Sequence, residues 1–256
     1  MKCAGLCALL LITWLNQLPE ANSYQNAIQQ LNVRDSEPKN ETMKVHHLLE
    51  GFTNPPLELV SETLNLEVES LKLEMVNWEE FPYRPEVSVQ IAWNENELFL
   101  QYKVKEQSVK GEVTESNGRV WTDSCVEFFL SPDGNDEYYN LEMTCIGTAL
   151  LGYQQKGQAV VRASKEQIST IRRISTLGKS PFPERKETTD WQITIAIPWK
   201  VYFKHELKPA AGMKMRGNFY KCGDELSVPH FVSWTKIKTE KPNFHAPEFF
   251  GGLEFE

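Results

Sequence analysis

The feature that most constrains the fold is the regular alternation of side chains in two neighbouring segments, residues 87–93 and 98–104. In both segments apolar side chains recur at every second position, which is typical of a β-strand with one buried face. The turn-forming sequence Asn94-Glu95-Asn96 separates them. The two segments therefore predict an antiparallel β-hairpin.

Segments of the same kind recur along the rest of the chain. Further strands are predicted over residues 126–130, 139–145, 149–153, 191–197, 215–221 and 231–234. Helical periodicity is confined to residues 27–31 and to a turn at residues 199–203. Many short strands with turn-rich connections in a chain of 256 residues predict an all-β fold, an antiparallel β-sandwich.

The N-terminal segment predicts export. Lys2 precedes an apolar run over residues 3–15 that is too short to span a bilayer, and Ala21 and Ser23 are small residues suited to a signal peptidase. We expect a signal peptide over residues 1–23, cleaved after Ser23, and a periplasmic, cell-surface or extracellular protein. A polar arm over residues 24–44 and one domain over residues 45–256 would follow, with no membrane span.

The charge of the chain bears on its partners. The formal net charge is -8 and the sequence pI is about 5.3. Binding of nucleic acid calls for clusters of basic residues, which this sequence does not show, so neutral ligands are favoured. The sequence indicates no oligomeric state.

An indole and a carboxylate come together around the start of the strand predicted over residues 126–130. Trp121 precedes this strand and Glu127 belongs to it. Sugar rings have C–H patches that pack on aromatic faces and hydroxyls that need hydrogen-bond partners. The segment is therefore a candidate carbohydrate site, and the alternative is a core Trp before an ordinary strand.

Three acidic residues near this segment allow an enzymatic alternative. Glycosidases use two carboxyl groups, so Asp123, Glu127 and Glu142 could support a glycoside hydrolase acting on xylan-like polysaccharide. The same groups could instead accept hydrogen bonds from a sugar or be surface charges. Because the sequence has no nucleophile elbow, phosphate loop or His-Glu-Xaa-Xaa-His motif, a non-catalytic role is favoured.

Two further ligand classes are compatible with parts of the sequence. The loop at residues 131–137 is rich in oxygen ligands, so it could bind calcium, although the same residue types also suit a plain hairpin turn. A haem-binding domain on a related sandwich would use Met143, Met213 or Met215, together with a His, as axial ligands.

Three cysteines remain after the predicted signal peptide: Cys125, Cys145 and Cys222. An oxidising compartment would permit one disulfide and leave one thiol. We predict the pair Cys145–Cys222, because each lies in a predicted strand beside polar residues, whereas Cys125 shares its strand with Glu127.

Five segments together resemble carbohydrate-binding module family 9, and most closely its free-standing members from secreted polysaccharide-degrading systems. These segments are residues 83–87, 121–129, 218–224, 229–234 and 244–251, and the resemblance covers roughly residues 44–256. The resemblance implies a non-catalytic, jelly-roll-like β-sandwich. It also implies that two aromatic rings grip the end of an oligosaccharide or polysaccharide chain.

The resemblance also implies which residues bind the sugar. Trp121 matches the first aromatic of the family, and Phe244 stands where the family has a second aromatic, a Trp. Glu127 matches a polar residue that contacts sugar. Tyr220 replaces an amide side chain and Glu142 replaces a basic one, so the identity of the sugar differs from the family pattern. Calcium also occurs in the family and is compatible with the resemblance, and no other cofactor is expected.

Overall fold

The structure is a computed structural model that describes residues 42–256. The predicted signal peptide, its cleavage after Ser23, the predicted helix at residues 27–31 and most of the predicted polar arm therefore lie outside the described residues.

Short strands dominate the described chain, as the alternation of side chains predicts. The strands are β1 (Thr42–His47), β2 (Leu71–Lys72), β3 (Met75–Val76), β4 (Glu86–Trp93), β5 (Glu97–Glu106), β6 (Val109–Gly111), β7 (Cys125–Ser131), β8 (Tyr138–Thr144), β9 (Ala149–Gln154), β10 (Val161–Arg162), β11 (Arg172–Ser175), β12 (Phe182–Arg185), β13 (Thr189–Pro198), β14 (Lys214–Cys222), β15 (Phe231–Ser233) and β16 (Gly251–Phe255). The helices are α1 (Leu57–Glu67) and α2 (Lys165–Ser169). The predicted hairpin is formed by β4 and β5, and the other predicted strands correspond to β7, β8, β9, β13, β14 and β15.

Two sheets form the sandwich. Sheet A has the order β10-β9-β8-β7-β14-β16-β1, and sheet B has the order β1-β4-β5-β13-β11. Strand β1 belongs to both, because Thr42 to Val45 pair with β16 while His46 and His47 pair with β4. The predicted all-β sandwich is confirmed, with two differences: both pairings of β1 are parallel, and residues 42–44 belong to a strand instead of the arm.

The main core lies between the two sheets, and the alternation of side chains fills it from both sides. Phe128 of β7 stacks on Phe219 of β14, with ring centroids 5.0 Å apart and an interplanar angle of 17°. Tyr102 of sheet B donates its hydroxyl hydrogen to the backbone oxygen of Glu127 over 2.6 Å. These contacts hold the core-facing side of β7 in place. The side chains on its outer side therefore project from a rigid strand.

One charged group of side chains is buried between the sheets. We call Glu106, Lys221 and His230 the inner charged cluster. The Lys221 ammonium lies 2.8 Å from Glu106 Oε2 and 2.8 Å from His230 Nε2, and Trp191 donates its indole N–H to Glu106 Oε1 over 2.7 Å. Burial, together with the neighbouring Lys221, lowers the pKa of His230 well below its usual value. The positive charge of Lys221 is therefore matched by one carboxylate.

Helix α1 covers the outer face of sheet B and was not predicted. It buries only Val60 and Leu64, while Leu66 is 77% exposed, so its apolar stripe is too narrow to stand out in the sequence. Gln90 holds the end of the helix by donating to the backbone oxygens of Leu64 and Val68, each over 2.7 Å. No helix in residues 42–256 is long and apolar enough to cross a membrane.

Candidate sugar-binding site

The candidate site lies on the outer face of sheet A, which points away from sheet B. Because side chains alternate across a sheet, Cys125 and Glu127 of β7 point outwards while Val126 points into the core. Glu127 pairs in register with Glu142 of β8. Directly opposite residues hold their Cβ atoms about 4.5–5.5 Å apart, so the two side chains lie side by side.

Trp121 stands at the entrance, in the 3-10 turn Val120–Thr122 that precedes β7. The buried Asp123 fixes this turn, because its Oδ2 accepts the backbone N–H groups of residues 112 and 113, both over 2.7 Å. Its Oδ1 lies 3.5 Å from the ammonium of Lys110. Trp121 is half-buried, and no other ring in the described chain stacks on it. Asp123 thus positions the indole and does not itself line the site.

A cavity of about 250 Å³ opens beside Trp121, and we call it the outer cavity. Its lining residues are Trp121, Glu127, Glu142, Arg162, Cys222, Asp224, Phe231, Pro242, Asn243, Phe244 and His245. The structure thus brings together four of the five side chains predicted to bind sugar. The exception is Tyr220, which is fully buried beneath the cavity.

Tyr220 supports Phe244. Their rings stack with centroids 4.2 Å apart and an interplanar angle of 13°, and the Tyr220 hydroxyl donates to the backbone oxygen of Phe244 over 3.2 Å. One face of Phe244 is therefore covered, and only 8% of the residue is exposed. Phe244 offers a ligand much less surface than Trp121 does.

The carboxyl groups of Glu127 and Glu142 are buried and that of Asp224 is partly buried, and all three hold their protons to unusually high pH. Burial raises the pKa of Glu142 to about 7 and that of Asp224 to about 6. Burial, reinforced by the negative charge of Glu142, raises the pKa of Glu127 well above its usual range. Burial also lowers the pKa of His245 to about 4, so this lining imidazole is neutral at pH 7. Arg162 is the other basic side chain that lines the cavity.

Glu142 has hydrogen-bonding capacity to spare. Its Oε1 accepts a hydrogen bond from the side-chain amide of Asn140 over 2.8 Å. Its Oε2 is buried and has no hydrogen-bond partner among residues 42–256. An unpaired buried oxygen costs about 1–3 kcal/mol, so a ligand hydroxyl that reached it would remove a penalty already present in the folded state.

The predicted disulfide between Cys145 and Cys222 is wrong, because all three described cysteines are free. Cys145 belongs to the core between the sheets and donates to the backbone oxygen of Lys110 over 3.2 Å, whereas Cys222 lies on the outer face of sheet A. The thickness of the sheet separates them. The register instead places Cys222 directly opposite Cys125.

Sequence reasoning missed several lining residues. Asp224 and His245 lie within segments already singled out and Asn243 directly precedes one of them, so the loops that close the cavity could have been scanned for further polar side chains. Phe231 begins a predicted strand and carried no separate signal. Arg162 lies on β10, a strand of two residues, and no sequence pattern indicates its position.

The two other ligand classes find little support in the geometry. In the loop at residues 131–137, Asn135 accepts the backbone N–H of Glu137 within the turn, and Asp133 lies 3.2 Å from the imidazole of His205, so both oxygens already have partners. Met143 and Met215 point into the core between the sheets, and no methionine lines the outer cavity, so no axial pair for haem meets there.

Comparison with known proteins gives the family. The family model described as carbohydrate-binding family 9 matches residues 59–255. A solved structure of a putative carbohydrate-binding protein from Bacteroides uniformis is 42% identical with a TM-score of 0.81, over 84% of this chain and 99% of that one. No curated protein matches.

A more distant structure shows the same fold. It is a family 9 carbohydrate-binding module from Caldicellulosiruptor kristjanssonii in complex with cellotriose, 13% identical with a TM-score of 0.50, over 84% of this chain and 94% of that one. The family model covers most of the sandwich. The protein from Bacteroides uniformis matches this chain over 99% of its own length. This chain therefore belongs to carbohydrate-binding family 9.

Proposed function

We propose that the protein binds the end of a carbohydrate chain in the outer cavity without cleaving it. One observation carries the proposal: the cavity sets the half-buried indole of Trp121 beside the buried carboxyl groups of Glu127 and Glu142, and Glu142 Oε2 has no partner within residues 42–256. An apolar ring face and adjacent unsatisfied hydrogen-bonding groups complement the two kinds of surface on a sugar ring.

The size of the cavity favours a chain end. Its volume of about 250 Å³ lies just below the roughly 300 Å³ at which small-molecule sites usually begin, so it accommodates a terminal sugar and not an internal stretch of polymer. The family member from Caldicellulosiruptor kristjanssonii is in complex with cellotriose, which makes a short gluco-oligosaccharide the first ligand to test.

The two aromatic side chains contribute unequally. Trp121 offers an unstacked indole face, whereas Phe244 is 8% exposed and already carries Tyr220 on one face. Aromatic packing contributes about 0.5–1.5 kcal/mol per ring beyond the area buried. We therefore assign most of the stacking to Trp121, with Phe244 closing the cavity on the other side.

Polar side chains around the rings would fix the orientation of the sugar. Glu127 and Glu142 contact hydroxyls from the floor, and Arg162 and Asn243 approach from the walls. Each such hydrogen bond contributes only about 0.5–1.5 kcal/mol net, because the sugar exchanges water for protein. The affinity should therefore be modest, as suits reversible capture.

The arrangement of the carboxyl groups argues against hydrolysis. Glycosidases place two acids on either side of the scissile bond, and one of them must be ionised to act as nucleophile or base. Glu127 and Glu142 instead lie side by side on one floor, and burial raises the pKa of both. New reducing ends after incubation with xylo- or gluco-oligosaccharides would reverse this assignment.

We also propose an exported accessory role in polysaccharide degradation. Its support is the signal peptide predicted over residues 1–23 and the family to which the sandwich belongs. Fractionation of the source cells and N-terminal sequencing test it, with a mature chain beginning at Tyr24 as the expected result. A chain retained in the cytoplasm with an intact N-terminus would contradict it.

Calorimetric titration with cellotriose, preceded by a glycan array to find the preferred sugar, tests the binding proposal. Trp121→Ala should weaken binding about tenfold or more, because stacking and apolar contact are lost together. Phe52→Ala is the matched control, since Phe52 is an aromatic residue that is 46% exposed and does not line the cavity. Equal affinities of the wild type and Trp121→Ala, or no sugar bound by a folded protein, would refute the proposal.

A further inference from the structure

Two thiols and a carboxyl group converge at the floor of the outer cavity. Cys125 and Cys222 are directly opposite each other on β7 and β14, and Glu127 is the next outward-facing residue on β7. The two Sγ atoms and a carboxylate oxygen of Glu127 all lie within 4.8 Å of one another. Sheet register alone brings these three groups together, so the arrangement needs no movement of the backbone.

We propose that Cys125, Cys222 and Glu127 bind one thiophilic divalent cation of the zinc class. The site goes beyond sugar binding and does not depend on it, although the two share Glu127. Zinc binds thiolate sulfur at about 2.3 Å and carboxylate oxygen at about 2.0–2.2 Å, so in its tetrahedral arrangement the ligand atoms stand about 3.5–3.8 Å apart, which the side chains reach from here by small rotations. Cys222 Sγ and Glu127 Oε1 are already 3.1 Å apart.

The side chains around the three ligands include further acids. Asp224 and Glu142 lie beside the site, and a divalent cation there would favour the ionised form of both carboxyl groups. Burial raises the pKa of Cys125 to about 12 and raises that of Cys222 well above its ordinary value, so both thiols hold their protons. A divalent cation would replace protons that the buried groups otherwise must keep.

The balance of the binding step follows from these protonation states. Each thiol releases its proton to solvent and donates a sulfur electron pair to the metal. Glu127 also releases its proton at any pH at which its carboxyl group is neutral before the metal binds. Two thiolates and one carboxylate around a divalent ion carry a net charge of −1, with no change in oxidation state. Binding should therefore release two to three protons and tighten as the pH rises.

The site has an open side. Glu127 and Cys222 both line the outer cavity, so a fourth ligand would come from the cavity, as water, a hydroxyl group or the nearby Asp224. Three protein ligands with one position open to a cavity is the pattern of accessible zinc sites, as opposed to closed structural ones. A metal bound here would be exchangeable from solution.

Titration of the reduced, folded protein with Co²⁺ in the absence of sugar tests the proposal. We expect a thiolate-to-cobalt charge-transfer band that saturates at one ion per chain and is displaced by Zn²⁺. Cys125→Ser and Cys222→Ser should each abolish the band or weaken binding more than about tenfold. Cys145→Ser is the matched control, because Cys145 is an equally buried thiol on the other face of sheet A.

Two outcomes would overturn the proposal. One is a folded, reduced wild-type protein that shows no charge-transfer band, and the other is a band that survives in Cys222→Ser. If the serine variants do not fold, proton release and thermal stabilisation of the wild type on adding Zn²⁺ decide the question, and their absence refutes the site. Because no sugar is present, these results are independent of carbohydrate binding.

Discussion

Two ionisable clusters lie against the two faces of sheet A, and they differ in how their charges are balanced. On the inner face, Lys221 meets the carboxylate of Glu106 at 2.8 Å, so the charges are matched. On the outer face, the acids Glu127, Glu142 and Asp224 gather with no buried cation among them. A protein that needs only a stable core has no reason to bury unmatched acids. We therefore interpret the inner cluster as structural and the outer cluster as part of a ligand-binding site.

Breaking the matched cluster should have the largest effect. Lys221→Met leaves the Glu106 carboxylate buried without its cation, so the free energy of unfolding should fall by about 3–5 kcal/mol in urea denaturation at pH 7. Lys214→Met is the control on the same strand, because the Lys214 side chain is 74% exposed and its ion pair contributes less than about 1 kcal/mol. Similar losses in the two variants would show that the inner cluster is not a matched pair.

The unmatched cluster should give stability an unusual dependence on pH. Burial raises the pKa of Glu142 to about 7, so the folded state keeps this proton to higher pH than the unfolded chain, where the value is near 4.5. This stability is fully present below about pH 4.5 and is lost as the pH rises to about 7, by on the order of 2 kcal/mol. Urea denaturation across this range measures it.

Glu142→Gln provides the control for that pH dependence. The amide cannot ionise, so the fall in the free energy of unfolding between pH 4.5 and 7 should become shallower, with the remainder carried by Glu127 and Asp224. A variant with the same slope as the wild type would mean that Glu142 does not hold its proton in the folded state.

Replacing a buried ionisable side chain by Met should change the free energy of unfolding in opposite directions in the two clusters. Glu127→Met removes a buried acid that has no cation, so we expect the free energy of unfolding at pH 7.5 to rise by about 1 kcal/mol, whereas Lys221→Met lowers it. Sugar affinity should fall about tenfold, because a hydroxyl loses its partner. Denaturation and calorimetry on one preparation measure both. Destabilisation by Glu127→Met would show that the outer cluster is structural.

The smallest expected effect concerns Arg162, whose positive charge partly offsets the effect of burial on the pKa of Glu142. Arg162 favours the ionised form of this carboxyl, so Arg162→Gln should move the pH-dependent loss of stability to higher pH by less than about one unit. Repeating the urea series detects the change. A displacement to lower pH would assign Arg162 a different role.

The sequence predicted most of the sandwich but not the register of its strands. The hairpin of β4 and β5 follows from alternation and from Asn94, whose side chain accepts the backbone N–H groups of residues 96 and 97. Alternation also places Cys125 and Glu127 on one face. Which residue of β14 lies opposite Cys125 depends on the long-range pairing of the strands, and for this reason the predicted disulfide is wrong.

The candidate site was predictable where side chains follow strongly patterned strands. Trp121, Glu127 and Glu142 could be found because they sit on or beside β7 and β8, and Phe244 because of its distinctive loop. Arg162 depends on how a two-residue strand packs at the edge of sheet A, which no local pattern determines. The buried position of Tyr220 likewise follows from the fold of a distant loop over it.

The position of β1 governs the order in which the molecule can assemble. Thr42 pairs with Gly252, 210 positions later in the chain, and the same strand then joins sheet B. Contacts between residues so far apart are slow to form and close late. The two sheets can therefore be joined through β1 only after β16 has been synthesised, so the closure of the sandwich waits for the C-terminal part of the described chain.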